Sequence, residues 1–211
     1  MTSNAHISRA LSISIKDTAV VIDADEASYV HHTVKELRQQ IKSVTGSAPP
    51  LVHDFEEARR KARTVVVVGK VMAEQCSVDT SAVPRITDQE PGPQGFILKS
   101  LQLHGGVNAV LAAGSDSIGT NYAVMRLRQL LIESPSGLSV SGTMDLLETP
   151  RYMTRGLYLH QHWRYNHPYA TWSWSVEDWK RALDIAAYLR INLVMLWAHM
   201  DMIAEPLTVP E

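Results

Sequence analysis

The residues whose types could do chemistry are concentrated after Pro150. His160 and His162 are two positions apart at the end of an apolar run, which would place both imidazoles on one side of a strand end. His199 and Asp201 follow a second apolar run in the same way. Imidazole and carboxylate together suit zinc, so the pattern makes a metal-dependent barrel hydrolase that uses His160-x-His162 one of the candidate functions.

The elements that must position these residues are two strands joined by a helix. Residues 155–160 and 191–197 are apolar runs typical of strands buried on both faces of a parallel sheet. Between them, Ser175 followed by Asp178 is a capping-box-like pattern that begins a helix. Strand, crossover helix and parallel strand form a βαβ unit, the repeating part of α/β barrels and doubly wound sheets. The predicted apolar face of the helix comprises Val176, Trp179, Leu183, Ala186 and Ala187.

The preceding residues predict a mixed α/β or α+β domain with helices on one face of its sheet. Residues 77–93 have no sustained period and predict a long surface loop. Gly105-Gly106 predicts a hairpin turn, and Gly46 a helix C-terminal cap. Strands are predicted at 18–22, 64–68, 95–103 and 107–113, and helices at 28–45 and 115–132. Each helix has a single apolar stripe, so both are expected to pack on the same face of the sheet.

The stretch from residue 95 to residue 131 resembles the small domain that precedes the barrel in β-N-acetylhexosaminidases and α-glucuronidases. In those enzymes a strand pair leads into a Gly-Ser or Gly-Asn turn, and then into a Gly-x-x-Tyr pattern on a helix. The positions that match are Gly114, Ser115, Gly119 and Tyr122. From the residues alone, the same segment can also be a tight strand-to-helix turn. It does not have the spacing or the lysine of a phosphate loop.

The segment after Pro150 resembles the opening of the (β/α)8 barrel in the same group of exo-acting glycoside hydrolases. Arg155-Gly156-Leu157 resembles the first strand of hexosaminidases, and His162-Trp163 is similar to the HW pair of α-glucuronidases. A further series resembles α-N-acetylglucosaminidases: Trp179, Arg181, Asp184, Ala187, Ile191-Asn192-Leu193 and Trp197. The resemblance therefore implies residues 1–150 as a hexosaminidase-like N-terminal α/β domain and residues 151–211 as the start of a truncated catalytic barrel.

The resemblance supplies substrate-binding candidates but no catalytic residue. In these families Arg155 corresponds to an arginine that binds sugar hydroxyls, and His162 and Trp163 would lie on the catalytic face, where tryptophan stacks on a pyranose. A salt bridge that closes the barrel is the alternative for Arg155, and packing under the loop is the alternative for Trp163. Glycosidases of this kind need carboxyl groups that, by the resemblance, come from barrel strand four and later. A barrel takes about 250 residues, whereas only 61 residues of this sequence follow Pro150, so we assign no catalytic residue.

The composition excludes some functions. A hydrophobic content of 45% and a charged content of 20% are those of a globular protein, and the formal net charge of −2 gives no electrostatic reason to bind nucleic acid or a membrane surface. Cys76 is the only cysteine, so an intrachain disulfide is excluded. No signal peptide is recognisable, so a cytoplasmic location is expected by default, and secretion if the N-terminus is processed.

Taken together, the sequence predicts the N-terminal portion of a glycoside hydrolase that cleaves terminal sugars of the hexosaminide or glucuronide class. Its expected partner is a carbohydrate substrate, with self-association through the incomplete barrel as a second interaction. No cofactor, nucleic acid or membrane is expected. The metal-dependent hydrolase and a non-catalytic structural or interaction domain remain the alternative functions.

Overall fold

The computed structural model describes residues 17–78, 81–134, 137–140, 144–160 and 174–197. The chain divides into two compact units, Met1–Arg151 and Tyr152–Glu211. None of the described helices is long and apolar enough to cross a membrane.

The described strands of the first unit are β1 (Thr18–Ile22), β2 (Leu51–Val52), β3 (Thr64–Val68), β4 (Phe96–Gln102), β5 (Asn108–Gly114), β6 (Leu131–Ser134), β7 (Gly137–Val140) and β8 (Asp145–Glu148). Six of them form a mixed sheet in the order β2-β1-β3-β5-β4-β8. The described helices of this unit are α1 (Ser28–Thr45), α2 (Phe55–Lys61), α3 (Lys70–Ser77) and α4 (Ser117–Leu130). Strands β2, β1, β3 and β5 are parallel, β4 is antiparallel to both neighbours, and β6 pairs with β7 as a separate hairpin. The predicted mixed sheet is thus confirmed.

The helices of this unit cover both faces of the sheet. Val20 and Ile22 of β1 pack in one apolar cluster with α1 and α4, as predicted for these two helices. Ala19 and Val21 point the other way, into a second cluster with Phe55 of α2 and with residues of α3. The prediction of helices on one face only is therefore wrong. Strands that are apolar at every position need cover on both sides, and α2 and α3 provide the second layer.

The predicted cap of α1 at Gly46 is confirmed, whereas the helix predicted over 115–132 ends earlier, at Leu130, because β6 begins at Leu131. Gly46 adopts a left-handed conformation (φ 81°) after α1, and its N–H donates to the carbonyl of Lys42. Asp116 caps α4, because its side chain accepts a hydrogen bond from the N–H of Gly119 at 2.7 Å. Asp54 caps the short helix α2 in the same way through the N–H of Glu57.

The second unit contains the predicted βαβ arrangement: β9 (Gly156–His160), α5 (Val176–Tyr188) and β10 (Leu193–Trp197). The two strands are parallel, with Gly156 opposite Leu193. Ser175 and Asp178 form the predicted capping box at the start of α5. The apolar face of α5 differs from the prediction. Ala186 is buried and Trp179 half-buried, whereas Val176, Leu183 and Ala187 are exposed. The side of α5 that packs runs through Trp179, Ala182 and Ala186.

Two glycines permit the close approach of α4 to the sheet. A Cβ added to Gly119 would lie 2.2 Å from the carbonyl oxygen of Gly95, and one added to Gly114 would lie 2.2 Å from the backbone nitrogen of Thr120. These contacts involve backbone atoms, so no side chain can rotate away to make room. The strand-to-helix turn at 114–119 is therefore a tight turn that only glycine fits at its two ends.

We predict that Gly119→Ala destabilises the first unit, although alanine is the better helix former by about 1 kcal/mol. The added methyl group would collide with the Gly95 carbonyl, and overpacking of this kind costs about 1–3 kcal/mol. Urea unfolding measures the change, with Gln39→Ala at an exposed position of α1 as the control. A Gly119→Ala protein as stable as the wild type would contradict the described packing of α4.

Candidate functional site

Arg155, the first predicted substrate-binding residue, lies immediately before β9. Its Nε donates to the carbonyl of Arg190 at 2.8 Å, and a terminal nitrogen donates to the carbonyl of Tyr152 at 2.5 Å. The backbone N–H of Arg155 donates to Oδ1 of Asn192 at 2.8 Å. These bonds tie the beginning of β9 to the segment between α5 and β10. In the described unit, Arg155 therefore has a structural role through these hydrogen bonds. Its contact with a sugar stays a prediction.

The other predicted ligand-binding residues lie outside the described part of the chain. These are His162 and Trp163, the two substrate-binding candidates, together with His199 and Asp201 of the metal hypothesis. The backbone of His160 ends β9. Within the described residues, no group of three or more histidine, cysteine, aspartate and glutamate side chains could hold a metal ion. The substrate-binding and metal predictions on these residues stay predictions.

A polar cluster that the sequence did not predict lies at the carboxyl edge of the six-stranded sheet. Glu26 follows β1, and its Oε1 accepts hydrogen bonds from Oγ of Ser117 at 2.5 Å and from the N–H of Ala27 at 3.0 Å. Its other oxygen lies against Gly69, where an added Cβ would approach Oε2 to 2.9 Å. Gly69 follows β3 with φ 91°, and Ser117 begins α4 after β5. One carboxylate therefore connects the ends of three parallel strands.

Asp116 is the second carboxylate at this edge. Its Oδ1 caps α4, and its Oδ2 accepts a hydrogen bond from the N–H of Gln94 at 2.9 Å. Neighbouring Ser115 is buried, and its hydroxyl has no hydrogen-bond partner among the described residues. The edges formed by strand carboxyl ends are where open α/β sheets bind ligands. Here, however, both carboxylates hold backbone N–H groups, so their described bonds are those of structural ties and not of an acid–base pair.

The pKa of Tyr29 depends on the charges of this cluster. Burial raises the pKa of its phenol above the ordinary value of 10.0, and the negative charges of Glu26 and Asp116 raise it further. The side-chain hydrogen bond between Tyr29 and Ser117 acts in the opposite direction and lowers the pKa of the phenol. The arrangement therefore favours the protonated phenol of Tyr29.

We predict opposite shifts in the pKa of Tyr29 for two variants of the cluster. Glu26→Gln should lower this pKa by removing a negative charge, and Ser117→Ala should raise it by removing the bond that favours the phenolate. Carbon-13 NMR of the tyrosine ring during a pH titration measures both shifts. Glu57→Gln, which removes a carboxylate paired with Lys61, serves as the control. Equal pKa values in all four proteins would show that the cluster does not form as described.

Comparisons with known proteins identify the fold. No protein-family model and no curated protein matches the sequence. Solved structures do match. A family GH115 4-O-methyl-α-glucuronidase with specificity for decorated arabinogalactans gives a TM-score of 0.61 at 17% identity, over 88% of this chain and 25% of that chain. The GH20 β-N-acetylhexosaminidase from Streptomyces coelicolor A3(2) gives 0.54 at 20% identity, over 88% and 31%. The GH84 protein CpGH84B gives 0.55 at 15% identity, over 90% and 28%.

These likenesses concern the fold, since each identity is low. The chain spans only a quarter to a third of the length of the proteins it matches. The alignments nevertheless cover most of this chain. The structure, with its six-stranded mixed sheet and its strand–helix–strand unit, thus has a glycoside-hydrolase-like fold that corresponds to a part of these enzymes.

Proposed function

We propose that this chain is part of a glycoside hydrolase that removes terminal sugars of the hexosaminide or glucuronide class from glycans. The observation that carries the proposal is the succession of two units. A six-stranded α/β unit is followed by a parallel strand–helix–strand unit, and most of the chain aligns with a minor part of each glycosidase that it resembles. Retention of one element order over both units at low identity favours a shared architecture.

The proposed roles of the two units differ. Residues 1–150 act as the α/β domain that precedes the catalytic barrel, and residues 151–211 supply the first strand, helix and second strand of that barrel. The surface of the second unit supports this division. Large side chains on β9 and β10 are exposed among the described residues, including Leu157 at 37%, Met195 at 55% and Leu196 at 56%. Strands of this composition are expected to be covered in a closed barrel.

The proposal assigns substrate contact to Arg155, His162 and Trp163, and the catalytic carboxyl groups to later barrel strands. The guanidinium of Arg155 is oriented by its hydrogen bonds to the carbonyls of Arg190 and Tyr152. A planar guanidinium with several donors suits adjacent sugar hydroxyls. An indole such as that of Trp163 suits the apolar face of a pyranose.

We predict that the protein made from its full coding region hydrolyses aryl glycosides of N-acetylglucosamine or glucuronic acid, and that the 211-residue chain alone does not. The reason is that this chain supplies no pair of flanking carboxyl groups that we can assign. Release of the aryl alcohol measures both activities. Clear turnover by the 211-residue chain, or none by the full protein on either substrate class, would contradict the proposal.

Two controls separate the alternatives in the same assay. In the active full protein, Arg155→Ala should raise KM, whereas Lys35→Ala on the exposed side of α1 should not. A chelator should leave turnover unchanged, because the proposed chemistry uses carboxyl groups. Loss of activity on chelation, with restoration by zinc, would favour the metal-dependent hydrolase of His160-x-His162. Absence of activity with intact folding would favour the non-catalytic interaction domain.

A further inference from the structure

An open cavity of about 610 Å³ lies at the amino edge of the six-stranded sheet, and four of its nine lining residues are cationic. We call it the basic cavity. It lies where the last turn of α2 meets the start of β3 and the turn between β4 and β5. Its charged lining consists of Arg59, Arg60, Lys61, Arg63 and a single acid, Asp17. This local excess of positive charge contrasts with the formal net charge of −2 for the whole chain.

Backbone hydrogen bonds hold the walls of the basic cavity together. The N–H of Arg63 donates to the carbonyl of Asp17 at 3.0 Å, and the N–H of Asn108 donates to the carbonyl of Arg63 at 2.9 Å. The guanidinium of Arg59 donates to the carbonyl of His104 at 3.3 Å, which links α2 to the β4–β5 turn. The four cationic residues therefore all lie in one segment, residues 59–63, which these bonds tie to the residue before β1, to β5 and to the β4–β5 turn.

The ion pairs of this region leave two arginines without an acidic partner. Arg59 pairs with Glu56 at 3.1 Å, and Lys61 pairs with Glu57. Both are ordinary pairs along one helix, and cations at a helix C-terminus also interact favourably with its dipole. Among the residues that the structure describes, no carboxylate forms an ion pair with Arg60 or Arg63, and both are exposed. Arg63 lies beyond the end of α2, so the helix dipole does not account for it.

The β4–β5 turn leaves the cavity accessible. Gly105 and Gly106 adopt positive φ values of 77° and 78°, and a Cβ added to either would meet no atom within 4 Å. The turn therefore has no side chain at these two positions, and the space next to its backbone is open. A ligand can approach the guanidinium groups there without displacing a side chain.

We propose that the basic cavity binds carboxylate groups of an acidic polysaccharide. Arginine is suited to this ligand because its planar fork of donors matches a carboxylate in a bidentate geometry. The open space in front of these side chains has a volume of about 610 Å³, which is in the range of small-molecule sites. The anionic part of this inference stands on the cavity alone, and its polysaccharide part rests on the proposed function.

Titration calorimetry of the 211-residue chain at low salt, with polygalacturonate as the probe, tests the inference. We expect the wild type to bind polygalacturonate with an affinity that falls as salt is added. The double variant Arg60→Ala/Arg63→Ala should bind about tenfold or more weakly, because two charge-assisted contacts are lost. The matched control is Lys35→Ala/Arg181→Ala, which removes the same charge at exposed sites outside the cavity and should bind like the wild type. Equal thermal unfolding midpoints establish that all variants are folded.

Three results would overturn the inference. They are absence of polygalacturonate binding, equal weakening in the control variant, and binding of neutral dextran with the same affinity. The assignment to a polysaccharide would be overturned if single-stranded DNA bound as tightly as polygalacturonate and if that binding also required Arg60 and Arg63. The aryl-glycoside assay of the full protein with the N-acetylglucosamine substrate is independent of these outcomes, because that substrate carries no carboxylate.

Discussion

Burial of the central strands on both faces is the constraint on which the first unit depends. Every residue of β1 and β3 is buried, and successive side chains enter two separate apolar clusters. A sheet of this kind is stable only when helices cover both sides, which is why α1 and α4 on one face are matched by α2 and α3 on the other. The close glycine contacts of α4 and the capping carboxylates at the strand ends follow from that layered packing.

The second unit has the same type of strand in a different environment. Within the described residues, β9 and β10 pair only with each other, and their large side chains are mostly exposed. Burying one such side chain fully is worth about 1.5–3 kcal/mol, so several exposed ones represent a large unused stabilisation. Parallel pairs of this composition are found with both faces and both edges covered. The exposure of these apolar side chains is the physical support for the proposal that the second unit belongs to a larger barrel.

Local patterns in the sequence predicted the elements that have enough residues to show a period. Helix α1 has four buried apolar positions at steps of 4, 3 and 4 residues, and Gly46 closes it, so both its existence and its end were predictable. Helices α2 and α3 have only 7 and 8 residues, too few for a stripe to stand out from the surrounding loop residues. Missing them led directly to the wrong expectation of a sheet covered on one side.

The polar sites were harder to predict because they are non-local. Glu26 and Ser117 are 91 positions apart, and the arginines of α2 meet the β4–β5 turn only through the fold of the sheet. Their signal in the sequence was limited to an acid after a strand and a run of basic residues at a helix end. Arg155 was found through its motif, yet its described hydrogen bonds to Arg190 and Tyr152 could not be predicted from spacing.

The central claim is that the strands of the first unit are buried on both faces, whereas, among the described residues, the strands of the second unit are largely exposed. Amide hydrogen exchange of the 211-residue chain, as a monomer at high dilution, tests it most directly. The account predicts that amides of β10 exchange roughly tenfold or more faster than those of β5, which is paired on both edges and buried on both faces. Exchange in β10 as slow as in β5 would contradict it, and would mean that the second unit is already complete.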